Sequence, residues 1–206
     1  EITRLLKRTQ SIDIDDLHCI LKTSDTMQKL VHSSIEILPA SQRQVAKTAA
    51  VIGNEFRMGE IQALLQDIYD TTTISLSLRG LVNERFITLS EAGVDARYAF
   101  RQPLVKDILY ESQPFDSRRE LHSQLAAYLA APASQRRSIQ NKLADQAGNT
   151  SADSPTEASE RIAYQYAMAH QWVKAAENFY EAGTSVCNLG NFSGAIQFYQ
   201  SGLEAL

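Results

Sequence analysis

Disulfide frameworks, membrane spans and phosphate loops are all missing from this chain of 206 residues. Its two cysteines, Cys19 and Cys187, lie far apart. They make no disulfide scaffold, and such sparse cysteine points to a reducing, cytoplasmic setting. No apolar run approaches the ~18 residues of a membrane span. No signal-peptide pattern opens the chain, which starts at Glu1 in mid-pattern and reads as a piece of something longer. Positive charge is also short. Twenty Lys and Arg face 24 Asp and Glu, a net charge of -4, which argues against nonspecific nucleic-acid binding.

The stretch "AAVIGNEF" (49–56) looks at first like a glycine loop. A P-loop requires Gly, four residues, then Gly-Lys-Ser/Thr. Gly53 is followed by no such pair, and Gly-Lys occurs nowhere in the chain. His18, His32, His122 and His170 are scattered, with no His-x-x-x-His or Cys-x-x-Cys spacing, so no metal site is expected. No serine, cysteine or histidine constellation nominates a catalytic residue.

Helical periodicity dominates what is present. Residues 1–24 give two short helical patterns that form a lead-in from an upstream module. Residues 25–36 read as a helix through Met27, Leu30, Val31 and Ile35, broken by Pro39. Ser41-Gln-Arg-Gln44 reads as a capping box, followed at helical spacing by Val45, Ala46, Ala49, Ala50 and Ile52. Gly53 stands where a helix stops. Ile61, Leu64, Leu65 and Ile68 mark the next helix, and Thr71–Thr73 offer caps for one carrying Ile74, Leu78, Leu81 and Val82. Two strand-like runs follow, "RFITLS" (85–90) and "ARYAF" (96–100), with a turn between them. Three helices and then a two-stranded hairpin are the order of a winged helix. Pro103 suits the first turn of a helix with Leu104, Val105, Ile108 and Leu109 on its face. Residues 116–131 give another helix. Residues 133–147 are weakly helical and polar. Residues 148–159 lack apolar periodicity and read as a linker.

The end of the chain repeats. Within "HQWVKAAENF" (170–179) and "LGNFSGAIQF" (189–198), residues match at a 20-residue offset, so Trp172 matches Phe192 and Ala175 matches Ala195. The small and aromatic residues, with Gly183, Tyr199 and Gly202, fall where tetratricopeptide units place them. The last helix is expected to want another repeat beyond Leu206. The fold class is therefore mainly α: a winged-helix domain with a small β-hairpin over 25–131, a polar linker over 132–159, and α-hairpin, tetratricopeptide-like repeats over 160–206. Trp172, Phe179, Phe192 and Tyr199 are the candidate interaction residues.

A winged helix raises DNA binding. Residues 25–111 carry nine Lys/Arg against eleven Asp/Glu, and the third helix, where a DNA reader keeps its base contacts, offers only Arg79. Protein packing is the better reading. Arg118-Arg119 and Arg136-Arg137 form a modest basic cluster, read as solvated helix faces.

"LPASQRQVAKTAAVIGNEF", "LRGLVNERFI" and "YAFRQPLVKDILYESQPFDSRRELHSQLAAYL", in that order, resemble the region after the nucleotide-binding core of signal-transduction ATPases with numerous domains. The strongest likeness is to the ATPase-like region of class III adenylyl cyclases. The last 45 residues resemble the start of the helical repeats that follow. The likeness covers roughly 27–130 and 160–206. It implies a regulatory and scaffolding segment with no catalysis or cofactor of its own, and ATP or ADP held by an upstream module of the parent chain. It implies protein partners on the repeats. Where the family often has Phe-Arg-His, this chain has Phe100-Arg101-Gln102. The family histidine reaches the bound diphosphate, so Gln102 marks a nucleotide-sensor position that cannot become cationic. Arg119 and His122 match the family's "RRxLH" run and are read as packing between helices. Two rival readings remain: a structural assembly subunit without nucleotide dependence, and a DNA-binding regulator.

Overall fold

The computed structural model describes residues 28–29, 31–93, 95–131 and 155–205. The chain divides into two compact units, Glu1–Pro39 and Ala40–Leu206. In the first, residues 31–37 are helical and the helix stops ahead of Pro39. The lead-in over 1–24, Met27 and Leu30 lie outside the described residues.

The second unit is mainly helical with one small antiparallel sheet. Its order is α1 (Ala40–Ile52), β1 (Glu55–Arg57), α2 (Met58–Leu65), α3 (Thr71–Asn83), β2 (Ile87–Glu91), β3 (Arg97–Phe100), α4 (Pro103–Glu111), α5 (Phe115–Ala130), α6 (Pro155–Met168), α7 (Trp172–Asn188) and α8 (Phe192–Glu204).

Helix α1 lies at the centre. Val45, Ala46, Thr48, Ala49, Ala50, Val51 and Ile52 are all buried. It touches α2, α3, α4, α5 and β1, and its small side chains let those neighbours come close. Gly53 stops it: its N–H reaches the Ala49 carbonyl at 3.1 Å, and its φ of 144° is one that side chains rarely adopt. The chain then turns directly into β1. This strand was invisible in the sequence, and it makes the sheet three-stranded, in the order β1-β3-β2. Phe56 pairs with Tyr98, and Ile87 pairs with Phe100. Phe56, Tyr98 and Phe100 point into the core. The Phe56 ring stacks on Tyr98 with centroids 5.8 Å apart and meets Phe100 at 5.7 Å.

Several local readings need correction. Ser41 opens no capping box, because α1 begins one residue earlier, at Ala40 directly after Pro39. The capping device sits instead at α2, where the Arg57 N–H donates to the Glu60 carboxylate at 2.9 Å. Helix α2 ends at Leu65. The chain turns there, with the Ile68 and Tyr69 N–H groups both bonding the Leu65 carbonyl, and Ile68 is exposed. The threonines do not cap α3. Asp70 holds the N-cap position, where a carboxylate suits the helix dipole better than a hydroxyl. The Thr73 hydroxyl donates to Asp70 and holds its carboxyl below the ordinary carboxylate value. Finally, residues 155–159, read as linker, form the first turn of α6. Pro155 opens that helix, as its fixed φ allows. Residues 132–154 lie outside the described residues.

The apolar faces read for α3 and α4 are buried except at Val82 and Leu104, which are half-buried. Ile74, Leu78 and Leu81 are buried on one, and Val105, Ile108 and Leu109 on the other. Helices α6, α7 and α8 then pack each on the next, with α6 against α5. Ala126, Ile162, Tyr166 and Ala175 form their joint core.

The 20-residue offset extends to the backbone. The His170 N–H bonds the Ala167 carbonyl and the Gln171 N–H bonds that of Tyr166. Gly190 and Asn191 repeat both bonds onto Cys187 and Val186. Gly190 has φ 82°, and His170, at the matching place, has φ 58°. The histidine is held in this unfavourable region between two rings, Phe115 at 5.2 Å and Trp172 at 4.8 Å. Ala175 and Ala195 are both buried, as the repeat requires.

Candidate interaction surface

Two polar contacts fasten α6 to the helices before it. Glu60 on α2, 3% exposed, caps its own helix with one carboxylate oxygen and meets the Arg161 guanidinium with the other, at 2.7 Å. His122 on α5 is also buried. Its Nδ1 lies 2.6 Å from Gln165 Oε1 on α6, and its Nε2 lies 3.0 Å from the Tyr110 hydroxyl on α4. An amide oxygen can only accept, so Nδ1 carries the proton and Nε2 accepts from Tyr110. Arg118 stands over the Tyr110 ring at 4.7 Å. Gln171 Nε2 donates to the Ser123 hydroxyl at 2.6 Å, adding a third tie between the α6–α7 turn and α5. The reading of His122 as an inter-helix packing residue gains a specific geometry here.

Burial holds the His122 pKa below its ordinary value; the Gln165 bond opposes this and the Arg118 charge adds to it. The unfolded chain therefore takes up the proton first. The contribution of His122 is fully present above about pH 6.5 and is lost as pH falls through that value toward the folded one, by at most about 1.4 kcal/mol per pH unit. Protonation would also force the Tyr110 hydroxyl to turn and accept, beside the Arg118 charge. Urea midpoints measured between pH 7.5 and 5 should fall for the native chain, and fall less for His122→Gln.

The four aromatics do not converge on one point. Trp172 and Phe192 open α7 and α8 and are exposed. Phe179 and Tyr199 interlock the two helices: a Cβ on Gly202 would lie 3.3 Å from the Phe179 Cβ, and one on Gly183 only 2.7 Å from the Tyr199 ring. Gly183→Ala should therefore lower stability by about 1 kcal/mol: overpacking costs about 1–3 kcal/mol and the better helix propensity returns about 1. Adding Tyr199→Leu should remove most of that loss. A double-mutant cycle in urea checks it; additive losses would mean the contact is not the cause.

Beside the interlock runs an apolar cleft of about 350 Å³, lined by Ala176, Tyr180, Tyr199, Gly202 and Leu203. Tyr180 lies 5.6 Å from Tyr199, ring to ring. Tyr180 and Leu203 escaped the sequence reading, which counted only aromatics at repeat positions. Gln165 also escaped it, although a signal existed: it shares the spacing of Ile162, Tyr166 and Ala169, and a polar residue on a buried helix face needs a partner.

Gln102 belongs to a different element. It is the extended N-cap residue of α4, ahead of Pro103, and its side chain makes no capping bond. It is exposed, as is Arg101. Arg79 and Arg119 are exposed too, while Arg136 and Arg137 lie outside the described residues. Among the described residues, no group of three His, Cys, Asp or Glu side chains is placed to hold a metal ion, and no helix is long and apolar enough to cross a membrane. Comparison of the chain with protein-family models, curated proteins and solved structures gave no match.

Proposed function

We propose that the chain is a non-catalytic regulatory and scaffolding segment of a larger ATP-linked signalling protein, of the type found in class III nucleotidyl cyclases. In this reading α1, β1, α2, α3 and the β2–β3 hairpin are a winged helix, and α6–α8 are the first tetratricopeptide-like helices. The observation that carries it is the order of elements. Helix, strand, two helices and a hairpin are followed by α4, which starts directly after Gln102, and then by helices that repeat one turn geometry at 20 residues. The winged helix would clamp an upstream nucleotide-binding module, and the repeats would present a surface to a protein partner. Gln102, exposed and never cationic, would sense nucleotide weakly or not at all.

Deleting α6–α8 from the parent protein should change how its activity is regulated while the basal rate persists. The measurement is nucleotide turnover with and without the physiological activator. Unchanged regulation would sink the proposal and leave a structural assembly subunit. Titration with duplex DNA at low salt should stay flat, because α3 offers Arg79 as its one cation.

A further inference from the structure

We propose that the α6–α8 stack is a hinged arm, docked on α5 at neutral pH and released when His122 takes up a proton in mild acid. The device lies within this chain and does not depend on what the parent protein is.

The seam under α6 is thin. Ala126 and Leu129 are what α5 gives to the joint core, while Ile162, Tyr166, Ala167, Ala175 and Ala205 all belong to the arm or its end. Among the described residues, only α5 packs broadly on α6. Local opening is favoured where buried apolar contact is scarce. Polar ties therefore hold much of the seam: His122 to Gln165, Gln171 to Ser123, and Glu60 to Arg161.

The docked geometry suits a neutral His122 and not a charged one. Gln165 accepts from Nδ1, and the Tyr110 hydroxyl donates to Nε2. A second proton would sit on Nε2, facing that hydroxyl hydrogen. Among the described residues, the charged groups around the ring are cationic, exposed or already engaged. On α5 itself the charge acting on the ring is Arg118. Helix α4 adds Lys106, paired with Asp107 at 2.8 Å, and an exposed Glu111. Helix α1 carries Arg43 and Lys47 as its ionisable groups. Helix α6 brings Arg161, Tyr164 and Tyr166 within one turn of Gln165, and its Glu160 is exposed. Helix α2 has Glu60 alone, with one oxygen on the Arg57 N–H and the other on Arg161.

Lifting α6 off α5 removes Gln165 and opens the ring to water, where a cation is accommodated. The docked ring thus holds its proton less tightly than the released one, chiefly through burial. The docked form is fully favoured above about pH 6.5. It loses ground as pH falls through that value, by at most about tenfold per pH unit in its ratio to the released form.

Hydrogen exchange on the full chain, read by peptide mass spectrometry and corrected for intrinsic rates, tests this. Amides of α6–α8 should exchange faster than those of α1 and α3, because release precedes unfolding. Their exchange should quicken several-fold, and by no more than about tenfold, between pH 7.5 and 5.5. His122→Gln, which stays neutral, should remove the rise. His170→Asn should keep it. That histidine also stands at the joint, between Phe115 and Trp172, and Asn tolerates its positive φ. Arg118→Met should shrink the rise, because the docked ring loses a charge that opposes its proton. If His122→Gln fails to fold, Arg118→Met carries the test, and a rise as large as the native one overturns the inference. Equal protection of α6–α8 and α1 would mean that the arm leaves only when the whole unit unfolds, and would overturn it too. So would a native chain without the rise, a rise that persists in His122→Gln, or one lost in His170→Asn.

Discussion

Phe56→Ala should cost about 3–5 kcal/mol, the range for removing a large buried ring from a packed core. Phe56 is 1% exposed. It is the sole inward residue of a three-residue strand, and its ring touches both Tyr98 and Phe100. A loss of this size is a large part of the ~5–15 kcal/mol that holds an ordinary domain together. Phe56→Leu keeps most of the volume and should cost far less, chiefly the ring contacts, worth about 0.5–1.5 kcal/mol. Urea unfolding followed by circular dichroism measures both. If the two variants lost the same amount, aromatic stacking rather than volume would be what matters at this position.

The second large effect is expected at Glu60. Glu60→Ala removes the acceptor that caps α2 and the carboxylate that meets Arg161. Breaking a fully buried pair costs about 3–5 kcal/mol. Arg161 is 28% exposed at its side chain and keeps some contact with water, so about 2–3 kcal/mol is the expected loss. Glu60→Gln separates the two roles, since the amide oxygen still accepts from the Arg57 N–H while the charge is gone. If Glu60→Gln behaves like the native chain, capping is the dominant role. If it behaves like Glu60→Ala, the ion pair is. Arg161→Met, with the buried carboxylate left behind, should be worse than Arg161→Met combined with Glu60→Gln.

The main helices of this fold could be read from the sequence because their signal is long. Ile74, Leu78 and Leu81 repeat over two turns, and the alternation in "ARYAF" matches the burial of Ala96, Tyr98 and Phe100. The repeat was legible down to Ala175 and Ala195, since a small residue facing an aromatic leaves a trace in spacing. What stayed hidden was short or non-local. Strand β1 has three residues, too few for a period of two, and its pairing depends on β3, which lies two helices and a strand further on. The true start of α6 was masked because Pro155-Thr-Glu-Ala-Ser carries no apolar stripe. The caps went astray because each helix starts one residue ahead of the hydroxyl read as its cap: Ala40 already opens α1, and Asp70 holds the N-cap position of α3. The ties that hold α6 in place, Glu60 to Arg161 and His122 to Gln165, join residues far apart in sequence, and no single segment announces them. Of the residues that line the apolar cleft, Tyr199 and Gly202 were legible through the repeat. Leu203, 73% exposed beside them, lacked any pattern that distinguished it from an ordinary core leucine.

The placement of β3 in the middle of the sheet has a consequence for the order in which the molecule assembles. The β2–β3 hairpin and the α6–α8 stack are local, and contacts between near neighbours in sequence form quickly. Strand β1 must wait. It leaves the ribosome before its partner has been synthesised, with Phe56 and the apolar circumference of α1 still uncovered. Closure of β1 onto β3 is the long-range event, and it comes late. Damage at Phe56 should then appear mainly as faster opening of the finished molecule rather than slower assembly, and the interval before β3 arrives is when the nascent chain most needs protection from wrong partners.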